Sequence, residues 1–266
     1  MSIREAASSI ASVFERCRAE NRAAFIAFLT AGYPTLETTP ALIRAVCESG
    51  ADIVEIGFPY SDPIADGPVI QASSQRALDN GATFDWILET IAHAGVETPL
   101  LAFTYCNLLF VRAFERAADD LAAAGFDGAI VPDLPPEEGQ PLAGALKRNG
   151  LSLTYLVAPT TPPKRAAFIA EHCDAFVYVA GRVGVTGSHA TADDLLRSRI
   201  GQLRSLTQKP LAVGFGVSQP AHVAAIAALA DGVVVGSALV EACGSGDPEK
   251  TLRGVCTSLK PHLTRH

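Results

Sequence analysis

Asp52-Ile53-Val54-Glu55-Ile56-Gly57-Phe58-Pro59-Tyr60-Ser61-Asp62-Pro63-Ile64-Ala65-Asp66-Gly67-Pro68 is the stretch on which the reading of the chain turns. It opens as a short apolar run of β-branched residues behind a Gly50 turn, the pattern of a buried strand. Glu55 alone breaks the run, and a carboxylate inside an apolar strand is costly unless it is paired or used. The three prolines, two glycines and two further aspartates that follow cannot continue a strand, so they form a loop. One carboxylate therefore stands near a strand's exit, and a second, Asp66, returns on the loop after it.

The same strand-then-helix alternation runs outward in both directions. Upstream, Ile3, Ala6, Ala7, Ile10, Val13 and Phe14 follow helical spacing, and a first strand covers 24–29. Leu42, Ile43, Val46 and Cys47 form the apolar face of the helix that leads into the Glu55 strand. Downstream, helices are expected at 69–78 and 85–94, a third strand at 100–104, a helix at 114–123 and a fourth strand at 128–131. Then come a helix at 137–148, a fifth strand at 151–157, a helix at 163–170 and a sixth strand at 176–179. A glycine-rich loop at 181–190 precedes a helix to Leu206; a seventh strand at 211–215, a helix at 220–229 and an eighth strand at 232–235 follow. A short helix at 237–242 and a last one marked by Leu252, Val255, Cys256 and Leu259 close the chain.

The punctuation repeats. Gly50-Ala51-Asp52, Gly125-Phe126-Asp127, Cys173-Asp174 and Ala230-Asp231 each end a helix and launch an apolar strand. Eight strands alternating with helices and no linker predict an α/β fold, one (β/α)8 TIM barrel over 1–266 with an extra N-terminal helix. The rival, an open doubly wound sheet, usually carries Gly-x-Gly-x-x-Gly after its first strand, and that motif is absent. A barrel's active site lies at the C-terminal ends of its strands, where Glu55 and Asp66 both fall.

Composition narrows the function. The chain has 266 residues, 48% hydrophobic and 18% charged, enough for a large core. A net charge of -7 without like-charge runs argues against nucleic acid or acidic membranes as partners. The six cysteines are scattered without Cys-x-x-Cys, as in a reducing cytosol, so a cytoplasmic location is expected. The N-terminus, with Arg4 and Glu5, does not read as a signal peptide, and no apolar stretch has the ~18 residues of a membrane span. The six histidines are dispersed, so no metal site is expected.

Three late loops carry glycine where strand passes to helix: Gly184-Val185-Thr186-Gly187, Gly214-Phe215-Gly216-Val217-Ser218 and Gly236-Ser237. Glycine permits close backbone approach, and helix N-termini aim N–H groups at anions. Barrels often hold phosphate at the loops after strands seven and eight, where two of these segments fall. A phosphate site plus two carboxylates suggests acid–base work on a sugar phosphate, either isomerisation or carbon–carbon cleavage. A Schiff-base aldolase needs a lysine in the barrel mouth, but Lys147, Lys164, Lys209, Lys250 and Lys260 fall elsewhere. A metal aldolase needs a histidine cluster. Any cleavage must then use an electron sink in the substrate itself.

These motifs, with Phe28-Leu29-Thr30-Ala31-Gly32-Tyr33-Pro34 and Val131-Pro132-Asp133-Leu134-Pro135, closely resemble the tryptophan synthase alpha chain family, in the family's order and over nearly the whole chain. The resemblance implies retro-aldol cleavage of indole-3-glycerol phosphate to indole and glyceraldehyde 3-phosphate, with the indole ring as the sink. It assigns Glu55 as the acid/base at indole C3 and the glycerol hydroxyl, and Asp66 as the group that holds the indole N–H and its developing positive charge. It places Phe28, Ile64, Phe103 and Tyr178 around the substrate, and Gly187, Gly214, Phe215, Gly216, Gly236 and Ser237 around the phosphate. The loop at 181–190 matches the family's closing lid, in which Thr186 meets Asp66. One departure is that the serine common before the lid arginine is here Gly181, before Arg182.

The resemblance also implies a beta-chain partner in an alpha2beta2 tetramer, meeting this chain at Pro59, Tyr60, Asp62, Pro63, Asn107 and Asp133. Pyridoxal phosphate would belong to that partner, with no cofactor in this chain. Two other readings stay open: a stand-alone indole-releasing lyase of the same fold, and a non-catalytic activator of a beta chain. A phosphosugar isomerase would share the phosphate loops but not the Glu55 motif.

Overall fold

The computed structural model describes residues 6–181, 189–214 and 216–265. Its elements follow the expected alternation. Helix α1 (Ala6–Ala19) leads to β1 (Ala24–Thr30), α2 (Thr39–Glu48), β2 (Ile53–Gly57), α3 (Pro68–Asp79), α4 (Phe84–Ala92) and β3 (Leu100–Phe103). Then come α5 (Cys106–Phe110), α6 (Phe114–Ala124), β4 (Gly128–Ile130), α7 (Pro136–Arg148), β5 (Ser152–Thr154), β6 (Leu156–Val157) and α8 (Pro163–His172). The chain finishes with β7 (Val177–Ala180), α9 (His189–Leu206), β8 (Leu211–Gly214), α10 (Pro220–Ala227), β9 (Gly232–Val235), α11 (Ser237–Cys243) and α12 (Pro248–Leu259).

All strand pairs are parallel, in the order β5-β4-β3-β2-β1-β9-β8-β7-β6. The two ends of this sheet, β5 and β6, are the halves of one expected strand, parted only at Tyr155. Its first half pairs with β4 and its second with β7, so the sheet closes on itself as a (β/α)8 barrel. At the join the Tyr155 N–H is accepted by the sulfur of Cys173. The short α5 was not expected. At five residues it is too brief to show a helical period.

Side chains alternate along each strand between two cores. Val54, Ile56, Ala102, Ala129 and Val213 face the helices. Ile26, Phe28, Ile53, Leu101, Phe103, Ile130, Phe176, Tyr178, Ala212 and Val234 fill the barrel. Ile10, Val13, Phe14 and Cys17 of α1 belong to this inner set, and the Phe14 ring lies 5.4 Å from Phe176 at the start of β7. The extra N-terminal helix thus stoppers the N-terminal mouth. Burying an aromatic of this kind contributes roughly 1.5–3 kcal/mol.

The repeated Asp punctuation also lies at this mouth. Asp52, Asp127, Asp174 and Asp231 each accept the N–H of Phe25, Leu100, Leu153 and Leu211 respectively, at 2.7–2.9 Å. Each aspartate's own N–H is donated back to the carbonyl of that same residue. Every second strand is therefore clasped to its predecessor at two points. With one mouth stoppered and clasped, the strand ends at the other mouth are left to form a site. Among the described residues, no helix is long and apolar enough to cross a membrane.

Candidate active site

Glu55 lies mid-way along β2, between Phe28 of β1 and Leu101 of β3 in the ladder. Strand alternation turns it into the barrel with Ile53, and it is 0% exposed. Neither carboxylate oxygen has a hydrogen-bond partner among the described residues. Burial alone pushes its pKa up to about 8, so the free site holds it protonated at neutral pH.

Asp66 comes from the loop that precedes α3. Asp66 N–H is donated to Pro63 O at 3.1 Å, and its carbonyl accepts Gln71 Nε2 at 2.8 Å. Burial pushes its pKa up to about 6, against a hydrogen bond from Tyr105 that favours the anion. The two carboxylates line one cavity with Phe28, Ile70, Phe103, Tyr178, Gly216, Val234, Gly236 and Ser237. Their pKa values are split, which is how one site runs acid and base chemistry together.

The cavity lining is of two kinds. Phe28 and Phe103 meet edge to face at 5.5 Å and 88°, giving an apolar wall. Gly57 makes this possible, since a Cβ there would sit 2.5 Å from the Phe28 ring. Gly216, Gly236 and Ser237, which follow β8 and β9, supply backbone to the lining. Gly216 has φ +77°, a conformation glycine adopts without strain. Gly214, expected around the phosphate, is the buried last residue of β8 and is not part of the lining. Its missing side chain leaves room for the Tyr178 hydroxyl, which a Cβ would strike.

Other expectations fare differently. Ile64 does not wall the cavity. It is 80% exposed, because the tight turn that donates Ile64 N–H to Asp62 O carries it to the surface. Pro59 is buried, so it offers little to a partner, whereas Asp62 and Asn107 are exposed and Tyr60, Pro63 and Asp133 half-buried. Asp133 already accepts the Cys106 N–H at 2.9 Å at the start of α5. Thr186, Gly187 and Phe215, with Arg182 and most of the lid at 181–190, lie outside the described residues. At Gly181 a Cβ would meet Leu196 and Val213 at ordinary distances of 3.4 and 3.5 Å, so the departure there does not arise from crowding.

Three residues were missed. Ile70 and Val234 line the cavity, and the period-2 alternation along β9 was the available signal for Val234. Tyr105 reads as one more core aromatic, and its hydroxyl partner lies 39 residues away. Among the described residues, no group of histidine, cysteine, aspartate and glutamate could hold a metal ion. No lysine lines the cavity. Lys209 instead caps the end of α8 through the carbonyls of Ala170, Glu171 and Cys173.

Comparison with known proteins places this geometry. The profile of the family described as Tryptophan synthase alpha chain matches residues 14–261. A tryptophan synthase alpha chain from Gloeobacter violaceus is 46% identical over 246 residues, covering 91% of this chain and 89% of the relative. One from Cyanothece is 42% identical over 262 residues, covering 96% and 98%. A solved tryptophan synthase structure from M. tuberculosis superposes with TM-score 0.87 at 38% identity, over 97% of this chain and 99% of that one. The tryptophan synthase subunit alpha of Legionella pneumophila gives TM-score 0.87 at 32% identity, over 96% and 98%. The chain belongs to the tryptophan synthase alpha chain family: it is a carbon–carbon lyase of tryptophan biosynthesis that cleaves indole-3-glycerol phosphate without a cofactor of its own, pyridoxal phosphate belonging to the beta chain.

Proposed function

We propose that the cavity holding Glu55 and Asp66 is where this chain cleaves indole-3-glycerol phosphate to indole and glyceraldehyde 3-phosphate. The observation that carries the reading is Glu55 itself, fully buried in the cavity lining with both oxygens unbonded among the described residues. A structural carboxylate would be paired; an unpaired one in a cleft is a group held for use.

The chemistry follows from the two kinds of lining. The phosphate meets the backbone at Gly216, Gly236 and Ser237, and the indole ring lies against Phe28 and Phe103. Protonated Glu55 gives its proton to indole C3, leaving a positive charge on the ring nitrogen that the Asp66 carboxylate stabilises. The Glu55 carboxylate then takes the proton of the glycerol hydroxyl. The carbon–carbon bond breaks, its electron pair restores the indole, and the aldehyde forms. Glu55 ends protonated as it began. Tyr178, from β7, closes the cavity beside both carboxylates. Thr186, Gly187 and Phe215 complete the proposed site from outside the described residues.

The partner is a beta chain, in an alpha2beta2 tetramer. Phe110 and Val111, at the end of α5, are 68% and 77% exposed, beside the expected contact Asn107. Bulky apolar side chains left in solvent favour a docking face over a stand-alone lyase. The proposed contact surface keeps Tyr60, Asp62, Pro63, Asn107 and Asp133 and adds these two. All six cysteines are free, which fits a cytoplasmic enzyme. The fold reads as one domain over 1–266.

The test is indole release from indole-3-glycerol phosphate by the purified chain, with and without a beta chain. Slow release alone and a large gain with the partner support both readings. Fast release alone favours the stand-alone lyase. No release in either case, from a folded chain, refutes catalysis in this cavity and leaves the non-catalytic activator.

A further inference from the structure

Tyr105 links β3 to α5 and is only 2% exposed, yet its hydroxyl is fully employed. It accepts the backbone N–H of Ala65 at 3.1 Å and stands 3.0 Å from Asp66 Oδ2. An amide N–H can only donate, so the hydroxyl hydrogen is directed at the Asp66 carboxylate. The ring is held in turn, stacked on Tyr60 at 4.9 Å and 25°. Around Asp66 the loop is also tied to its own neighbourhood, by Ile64 N–H to Asp62 O, Asp66 N–H to Pro63 O and Gln71 Nε2 to Asp66 O. A single hydroxyl from just past β3 therefore holds both the backbone at Ala65 and the carboxylate of Asp66.

We propose that Tyr105 is a positioning residue for the cleavage: its hydroxyl aims the Asp66 carboxylate at the indole nitrogen and keeps it charged for the step in which the ring becomes positive. One oxygen, Oδ2, is bonded by Tyr105, which leaves Oδ1 for the indole N–H. The proposal rests on the reading that Asp66 acts as an anion in this cavity. Among the described residues, the titratable groups that face this pair are Tyr178 from β7 and Glu55 from β2, with Asp133 near Tyr105 from the loop after β4. None of these is a cation, and among the described residues the hydroxyl is the group that favours the anion.

The experiment compares the full chain with its Tyr105→Phe variant, in complex with a beta chain, by kcat, KM and the pH profile of kcat/KM for indole release. A hydrogen bond to a charged group predicts a loss of about 10- to 100-fold in kcat, with KM changed less than about threefold. Losing that bond also makes Asp66 a weaker acid, so the acid limb of the profile moves to higher pH. The substrate's own phosphate titrates near 6, but equally in both enzymes, so the displacement between them isolates the protein group. A second variant carries 2,3-difluorotyrosine at position 105 alone. Its hydroxyl is a stronger donor, and the limb moves to lower pH. Opposite displacements in the two variants are not produced by loosened packing. Wild-type kcat and an unmoved limb in both variants overturn the proposal, as does a loss of activity without any displacement. If Tyr105→Phe fails to fold, the fluorinated variant, which keeps the shape and stack, decides alone. Asp66→Asn separates the two levels: full turnover in that variant refutes the site reading, whereas its inactivity beside an unaffected Tyr105→Phe refutes only the role of Tyr105.

Discussion

Asp52 and Glu55 stand three residues apart, at the entrance and in the middle of the same strand, and meet opposite surroundings. Asp52 accepts Arg22 at 2.6 and 2.9 Å, Arg16 at 3.1 Å and the Phe25 N–H at 2.9 Å. Glu55 accepts nothing from the described residues. Burial pushes both carboxyls upward, but at Asp52 the arginine and backbone donors outweigh it and hold the group below its usual range, whereas at Glu55 burial acts alone. The barrel thus spends carboxylates in two ways. At the stoppered mouth Asp52 and Asp231 are satisfied by backbone and guanidinium donors and hold strands and chain ends together. At the open mouth Glu55 is left unsatisfied, which costs stability and supplies an acid.

Glu55→Gln tests the sharper half of this contrast. Removing a general acid–base group lowers kcat by roughly 10² to 10⁴. The same change should stabilise the fold, with a pH dependence fixed by sign. The folded pKa is raised, so the wild type is penalised above its unfolded value of ~4.3 and increasingly up to about 8. Unfolding by urea should therefore show the variant equal to wild type near pH 4, and more stable by about 3 kcal/mol near pH 7. Equal stability at both values would mean that Glu55 is solvated or paired, and the contrast with Asp52 would collapse.

Asp52→Ala is the opposite experiment. It strands Arg22 and the Phe25 N–H, so a loss of about 3 kcal/mol is expected. The folded pKa of Asp52 is depressed, so this contribution is present above its unfolded value and is lost as pH falls through the folded one. Turnover per folded molecule should stay at wild-type level, because the substitution lies at the far end of the barrel. Activity lost in proportion to stability at a temperature where the variant remains folded would show that the two mouths are coupled.

How far this contrast could be read from residues alone depends on where each signal lives. Glu55 is legible because a charge in an apolar strand violates a local rule, and Asp66 because it returns on the adjoining loop. The four aspartates were visible as repeated punctuation, but their clasp was not, since each bond joins residues 20–27 apart. The break at Tyr155 was hidden because 151–157 carries no glycine or proline to mark it and the two halves differ in which neighbour they pair with. Ile64 was misplaced because an apolar residue beside a catalytic carboxylate suggests a pocket wall, while a single turn decides its direction. Tyr105 escaped because packing and function ask for the same residue type there, and only the hydroxyl's partners distinguish them.

The acidity of the open mouth sets the pH profile. Asp66 must be ionised and Glu55 protonated, so kcat/KM should fall below about 6 and again above about 8. Each limb approaches a tenfold loss per pH unit. In Asp66→Asn the residual activity should lose its protein-dependent acid limb and keep the alkaline one. An alkaline limb that survives in Glu55→Gln would assign that proton to another group.

The smallest effect expected lies within the ring of aspartates itself. Asp127 accepts the Leu100 N–H at 2.9 Å and is buried. Asp127→Asn keeps an oxygen in place for that N–H and removes only the charge, so the cost should be about 1 kcal/mol, the scale of one hydrogen bond weakened. Asp174 makes the same clasp from an exposed position, where water can take over the Leu153 N–H, and Asp174→Ala should cost less still. If the ring acts through its backbone clasps, denaturation midpoints will rank Asp52→Ala lowest, then Asp127→Asn, then Asp174→Ala. A loss at Asp127→Asn as large as at Asp52→Ala would show that the charge of the ring matters beyond its backbone clasps, and the division between a satisfied and an unsatisfied end would have to be redrawn around the whole ring.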